Sequence, residues 1–192
     1  MVKSLLDRIQ DSLAKKGYEP RSKDARSWLR SKANSLRATP NRLLKDRERL
    51  KNTEIIGRMY YYFYDPKTKD KLPYYDRFPL VIPIEQYSNG FLGLNLHYIN
   101  PRQRILLLDK LSSLLTDGYN EASRLRISYS YLSRASRTFQ AKPCIKRYLY
   151  GHVQSRFLEV TADEWDIAAL LPVESFVKAN KNKVFSDSED KF

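Results

Sequence analysis

A chain of 192 residues with 42% apolar content and a formal charge of +13 can build one packed domain and is too apolar for wholesale disorder. Its single cysteine, Cys144, excludes a disulfide framework and a cysteine-built zinc site. No apolar run approaches the ~18–20 residues of a membrane span, and the N-terminal MVKSLLDRIQDSL carries charges inside its apolar pattern, unlike a secretory signal. The expectation is a soluble protein, made in a cytoplasm, with no membrane partner.

The charge is unevenly placed. Residues 1–53 hold 15 Lys and Arg against 6 Asp and Glu, so they carry +9 of the +13. A basic block beside a near-balanced remainder points to phosphates or to an acidic protein surface. The expected organisation is a basic helical N-terminal arm (1–53), an α+β domain (54–185) and an acidic tail (186–192).

Within the arm, Leu5, Leu6, Ile9 and Leu13 fall at helical spacing, ending near Gly17. A second helix is predicted over residues 22–36, with Lys23, Arg26, Arg30 and Arg37 near one stripe. Thr39-Pro40 reads as N-cap and first-turn proline of a third helix reaching residue 51, with Arg42, Lys45 and Arg49 in register. Such rows neutralise successive phosphates. A solvated helix face explains them equally well, and Asp24, Asp46 and Glu48 dilute them.

The next forty residues hold eight of the fourteen tyrosines. Residues 58–64 form a strand with Met59, Tyr61 and Phe63 on one face and Tyr60, Tyr62 and Tyr64 on the other. A turn at DPKT and a Pro-flanked loop over 72–78 lead to a second strand, 80–84, in which Pro83 marks an edge or a bulge. Asn89-Gly90 predicts a type I′ turn into a third strand, 91–98, where Gly93 marks a bulge or a close backbone approach. Asn100-Pro101 starts a helix to about residue 115 with Ile105, Leu108, Leu111 and Leu115 buried, and a further helix follows over 121–136.

Pro143 is expected to open a short helix to residue 150. Residues 156–160 and 166–171 read as strands, joined through a Thr161-x-x-Glu164 capping box, and 174–181 as a last helix. Five short strands with a central hairpin suit a small SH3-like, partly open β-barrel with helical insertions.

No nucleotide-binding, metalloprotease or serine-hydrolase motif is present, so no cofactor, metal or catalytic residue is expected. His97 could act as a general base, but a buried structural histidine is the simpler reading. Cys144 has basic neighbours that would depress its pKa, yet no base is placed beside it. Asp65, Asp70 and Asp76, and later Glu159, Asp163, Glu164 and Asp166, are explained by turns and caps. Lys146 and Arg147, with Arg124, Arg126, Arg134, Arg137, Lys142 and Arg156, extend the basic patch. Tyr74 and Tyr75, in a loop, are candidates for base stacking.

The runs LPYYD with FPLVIPI, and NGF with NLHY, together with KPCIKRYLYGHVQSRFLEVTADEWDIAALLPVESF, resemble a family of T-even-like tailed-phage virion proteins, the DNA end protectors. The resemblance covers residues 22–185. It implies a virion protein, made in the host cytoplasm, that binds the ends of packaged double-stranded DNA and shields them without catalysis. Over about forty residues the first strand, DPKTK and FPLVIPI also resemble toxin endoribonucleases built on SH3-like barrels. Two further classes stay open: a head or tail (neck or baseplate) assembly protein with no direct DNA role, and a nuclease using His97 or the Asp65/Asp70/Asp76 group.

Overall fold

The computed structural model of the chain describes residues 3–113 and 143–189. The expected helix over 121–136, Leu115, and the basic residues Arg124, Arg126, Arg134, Arg137 and Lys142 lie outside the described residues.

Helix α1 (Leu5–Lys15) begins at a capping box, in which Ser4 accepts from the Asp7 backbone and Asp7 accepts from that of Ser4. It stops at Gly17, whose φ of 72° is left-handed. Helix α2 (Lys23–Lys32) is capped by Ser22, and the chain leaves the following turns through Arg37 at φ 49°. Helix α3 (Pro40–Leu43) has the expected Thr39 cap and Pro40 start but lasts one turn. The long third helix is therefore not formed. Residues Arg47–Arg49 make a 3-10 turn, and Leu50–Lys51 become strand β1, because their backbone pairs with Leu158 and Phe157. Long-range pairing outweighs the helical pattern here.

Strands β2 (Met59–Tyr61), β4 (Leu80–Tyr87), β5 (Gly90–Asn95), β6 (Ile145–Leu149) and β7 (Phe157–Val160) join β1 in an antiparallel sheet of order β1-β7-β2-β4-β5-β6. The Pro-flanked loop contains β3 (Tyr75–Asp76), paired with β8 (Phe176–Val177). Pro83 lies in an interior strand, and the register shifts between Pro83 and Glu85, so the bulge rather than the edge accommodates it. Its carbonyl accepts the Gly57 amide at 2.9 Å.

The hairpin turn differs from the type I′ expectation. Tyr87 pairs with Gly90, so the two loop residues are Ser88 and Asn89, and Asn89 does not adopt positive φ. Gly90 is needed for another reason: a Cβ there would sit 1.9 Å from the Tyr148 carbonyl oxygen on β6. A Cβ at Gly93 would fall 2.3 Å from Val81 Cγ1, so this glycine makes room for a neighbouring side chain rather than for an approaching backbone.

Helix α4 (Pro101–Ser113) buries Ile105 and Leu108 as expected. Three later expectations are corrected. Residues 145–149 are β6, not helix, because they pair with β5 and drop Tyr148 into an aromatic cluster. Residues 166–171 lie largely in helix α5 (Trp165–Leu170), introduced by the Thr161/Glu164 capping box. Every residue of α5 is buried, so its periodicity could not separate helix from strand. The expected helix over 174–181 is replaced by β8, and helix α6 (Lys181–Glu189) occupies most of the expected tail.

The alternation along residues 59–64 separates two cores. Met59 and Tyr61, with Phe63 at the margin, face the larger one, which gathers Leu6, Ile9, Leu29, Ile105, Ile167 and Ala168 from α1, α2, α4 and α5. Tyr60, Tyr62 and Tyr64 face Val81, Phe91, Tyr148 and Phe157 in a second, aromatic cluster. The N-terminal helices thus pack on the sheet as a layer. Beyond β6 the chain returns to a single bridge, Tyr64↔Val153; the six-strand ladder itself does not close.

Candidate nucleic-acid interface

The cations of the two expected rows divide into two sets. Arg26 points inward: its Nε donates to Asp166 Oδ2 at 2.5 Å and its Nη2 to Asp109 Oδ1 at 2.5 Å. Burial works against its charge, but the two carboxylates outweigh that and raise its pKa. Arg49 likewise binds Glu164 at 2.5 Å and Asp46 at 3.0 Å, and also reaches Asp7. These two arginines tie α2 and the segment before β1 to α4, α5 and α1.

The second set points outward. Lys23, Arg30, Arg37 and Lys45 are exposed, and none pairs with a carboxylate among the described residues. Arg42 is half-buried and donates to the carbonyls of Leu36, at 3.3 Å, and Arg37, at 2.5 Å, closing the left-handed turn there. Because α3 is short, Arg42, Lys45 and Arg49 do not form the helical row their spacing suggested. Two exposed cations that the row pattern missed, Lys32 and Arg47, belong to the outward set.

Lys146 and Arg147 are neighbours on β6 and so point to opposite faces. Lys146 Nζ sits 4.1 Å from the Tyr98 ring centre. The Arg147 guanidinium lies 3.8 Å from that of Tyr87 and donates to Asn89 Oδ1 at 2.6 Å. Tyr87 is the aromatic that sequence reasoning missed as a surface group; it is 36% exposed at the hairpin tip. Tyr74 instead packs against Tyr98 and Phe176, and Tyr75 is half-buried in β3.

Of the groups considered for catalysis, His97 and Asp76 are held internally. His97 Nδ1 lies 2.7 Å from Asp76 Oδ2, with 0% and 4% of the two residues exposed. Asp76 Oδ1 also accepts the backbone amides of Phe78 and Ser175. Asp65 pairs with Lys69, and Asp70 is exposed. Among the described residues no three His, Cys, Asp or Glu side chains gather as a metal site. Glu159, Glu164 and Asp166 are ion-pair partners of Arg58, Arg49 and Arg26. Burial pushes the Cys144 thiol up to about 12 despite Lys146 nearby, the reverse of an activated nucleophile.

Neither the curated proteins nor the solved structures contain a match to the chain. The sequence model of a protein family, Phage T4 terminal DNA protecting protein, matches residues 1–189. That span takes in the basic N-terminal layer, the whole sheet and α6. The chain belongs to the Phage T4 terminal DNA protecting protein family, whose activity is the binding and protection of DNA ends.

Proposed function

We propose that the protein covers the ends of packaged double-stranded DNA as a non-enzymatic component of the virion, made in the host cytoplasm and seated among head or tail proteins. The outward cations Lys23, Arg30, Arg37 and Lys45, with part of the Arg42 guanidinium, hold the phosphates, and Arg147 adds a contact from the hairpin tip. The observation that carries this reading is the division of the basic layer. Arg26 and Arg49 neutralise internal carboxylates, while Lys23, Arg30, Lys32, Arg37, Lys45 and Arg47 are exposed and without acidic partners among the described residues.

The five contacts of the N-terminal layer alone release counterions with a slope of about −4.5 in log K against log salt. Affinity for a duplex should then fall by roughly two to three orders of magnitude between 50 and 200 mM salt. Fluorescence anisotropy on a labelled blunt duplex measures this. A flat salt response, or unchanged affinity in a Lys23→Ala/Arg30→Ala/Lys45→Ala variant, would overturn the reading.

The sheet is read as a partly open, SH3-like barrel. The supports are the second core enclosed by β2, β4, β5, β6 and β7, and the return of the chain after β6 to Tyr64. Such a scaffold sets no activity by itself.

A further inference from the structure

An end of DNA differs from its middle in features that a protein can read without sequence, among them a terminal sugar hydroxyl in place of a phosphodiester. The molecule holds an open groove of about 580 Å³, within the ~300–1,000 Å³ range of small-ligand sites. It lies where the basic layer runs into the sheet. The segment after β1, Asn52–Glu54, forms one wall, and Gln86, Tyr150 and Gln154–Phe157 form the others. Lys45 and Arg47, exposed, stand a few residues upstream of that wall.

The chemistry of the groove is unlike that of a phosphate cradle. At its buried side is a carboxylate, Glu54, 7% exposed. Tyr150 Oη donates to Glu54 Oε1 at 2.6 Å, and Gln86 Nε2 donates to Tyr150 Oη at 3.1 Å and to Glu54 Oε1 at 3.5 Å. An ionised carboxylate has about four acceptor positions, so these donors leave capacity for another. Asn52, Thr53, Gln154 and Ser155 add side-chain amides and hydroxyls, and Val153 and Phe157 add apolar surface. One cation, Arg156, is exposed there and spends one Nη2 hydrogen bond on the Leu50 carbonyl. A carboxylate repels a phosphodiester and accepts from a hydroxyl. A groove of mixed polar and apolar lining, with an acid at the bottom and an arginine at its rim, therefore fits a nucleoside with a free hydroxyl and one phosphate behind it.

We propose that this groove seats the terminal nucleotide of a DNA strand, with Glu54 accepting the free terminal hydroxyl and Arg156 facing the adjacent phosphate. The inference rests on the DNA-end reading above and gives it a selective site: the basic layer binds any duplex, and the groove tells an end from a middle. A terminal pair is stacked on one side alone, so drawing its nucleotide aside costs less than at an interior position. Glu54 also explains the selection by exclusion, since an interior nucleotide offers an ester there and no donor.

The test uses the whole protein and blunt duplexes of one sequence, differing in their termini: 3′-hydroxyl with 5′-phosphate, 3′-phosphate with 5′-hydroxyl, and phosphate at both. A closed circle serves as the end-less control. A charge-assisted hydrogen bond lost to a repulsive phosphate predicts about tenfold or greater weakening for the doubly phosphorylated duplex. Whichever single-hydroxyl duplex regains affinity identifies the 3′ or the 5′ terminus as the ligand. Glu54→Gln, which keeps an acceptor for Tyr150 but no charge, should bring the three duplexes together while leaving the circle unchanged. Equal wild-type affinity for all three duplexes overturns the proposal, and needs no variant that could misfold. Failure of the DNA-end reading looks different: neutralising Lys23, Arg30 and Lys45 would then leave duplex and circle affinities alike untouched.

Discussion

Arg26 and Asp166 lie 140 residues apart in the chain and meet side by side, Nε to Oδ2 at 2.5 Å, with Asp166 2% exposed. The contact fastens α2 to the buried helix α5, and Asp109 of α4 takes the other side of the same guanidinium. An arginine that reads in sequence as part of a phosphate-binding row is thus a bolt between three helices.

This division of labour separates stability from binding. Removing one partner of a buried pair leaves the other charge uncompensated, at about 3–5 kcal/mol. Arg26→Ala should lose about that much, a fall in Tm of roughly 6–20 °C at 2–4 °C per kcal/mol. Arg30→Ala, one turn further on and exposed, should stay within about 0.5 kcal/mol of wild type while lowering the salt slope of duplex binding by about 1. Thermal melts and anisotropy titrations on the two variants check the contrast. Equal Tm values for both would show that the inward pairing contributes nothing.

The glycines give a second contrast. Gly90 has no room for a methyl group because the Tyr148 carbonyl of the neighbouring strand would lie 1.9 Å from it. Relief requires β5 and β6 to part, which disturbs the aromatic cluster around Phe91 and Tyr148. Gly17 has open space around its missing Cβ but a φ of 72°. Gly17→Ala should therefore cost about 1 kcal/mol, the backbone penalty alone. Gly90→Ala should cost several times more, and urea denaturation midpoints measure both. A Gly90→Ala variant as stable as Gly17→Ala would contradict the close packing of β5 on β6.

What could be read from the chain and what could not follows from the range of each signal. The tyrosine alternation in residues 59–64, the Asn100-Pro101 start and the Thr161/Glu164 box are local devices, and all three are present. The element after that box was missed because WDIAAL is buried on every side. Residues 145–149 were missed because a proline suggested a helix start while the strand's reason lies across the sheet on β5. The site suffered most. No local pattern pairs Arg26 with Asp166, Arg49 with Glu164, or His97 with Asp76, so exposed and committed cations look alike in sequence. The Glu54 groove joins segments about a hundred residues apart and leaves no motif.

Buried charge also sets how the fold responds to acid. Arg104, 0% exposed, donates to Glu174 Oε1 at 2.6 Å and to the carbonyls of Ile99 and Ala169, both at 2.9 Å. Burial alone would push the Glu174 carboxyl up, but the Arg104 charge and hydrogen bond hold it below its ordinary 4.5. Asp7, the capping acid of α1, is also lowered: its desolvation is outweighed by the Ser4 hydrogen bond and the Arg49 charge. In both cases the unfolded chain binds the proton at a higher pH than the folded one. Their stabilisation is therefore complete above the unfolded values, near pH 4.5 for Glu174, and drains away as the pH falls through the lower folded values. The urea midpoint should hold steady from pH 7 to 5 and drop below that. Glu174→Gln should lower the midpoint at pH 7, because Arg104 is left buried without its counter-charge, and should flatten the acid limb. An acid limb as steep in Glu174→Gln as in wild type would place the proton uptake elsewhere.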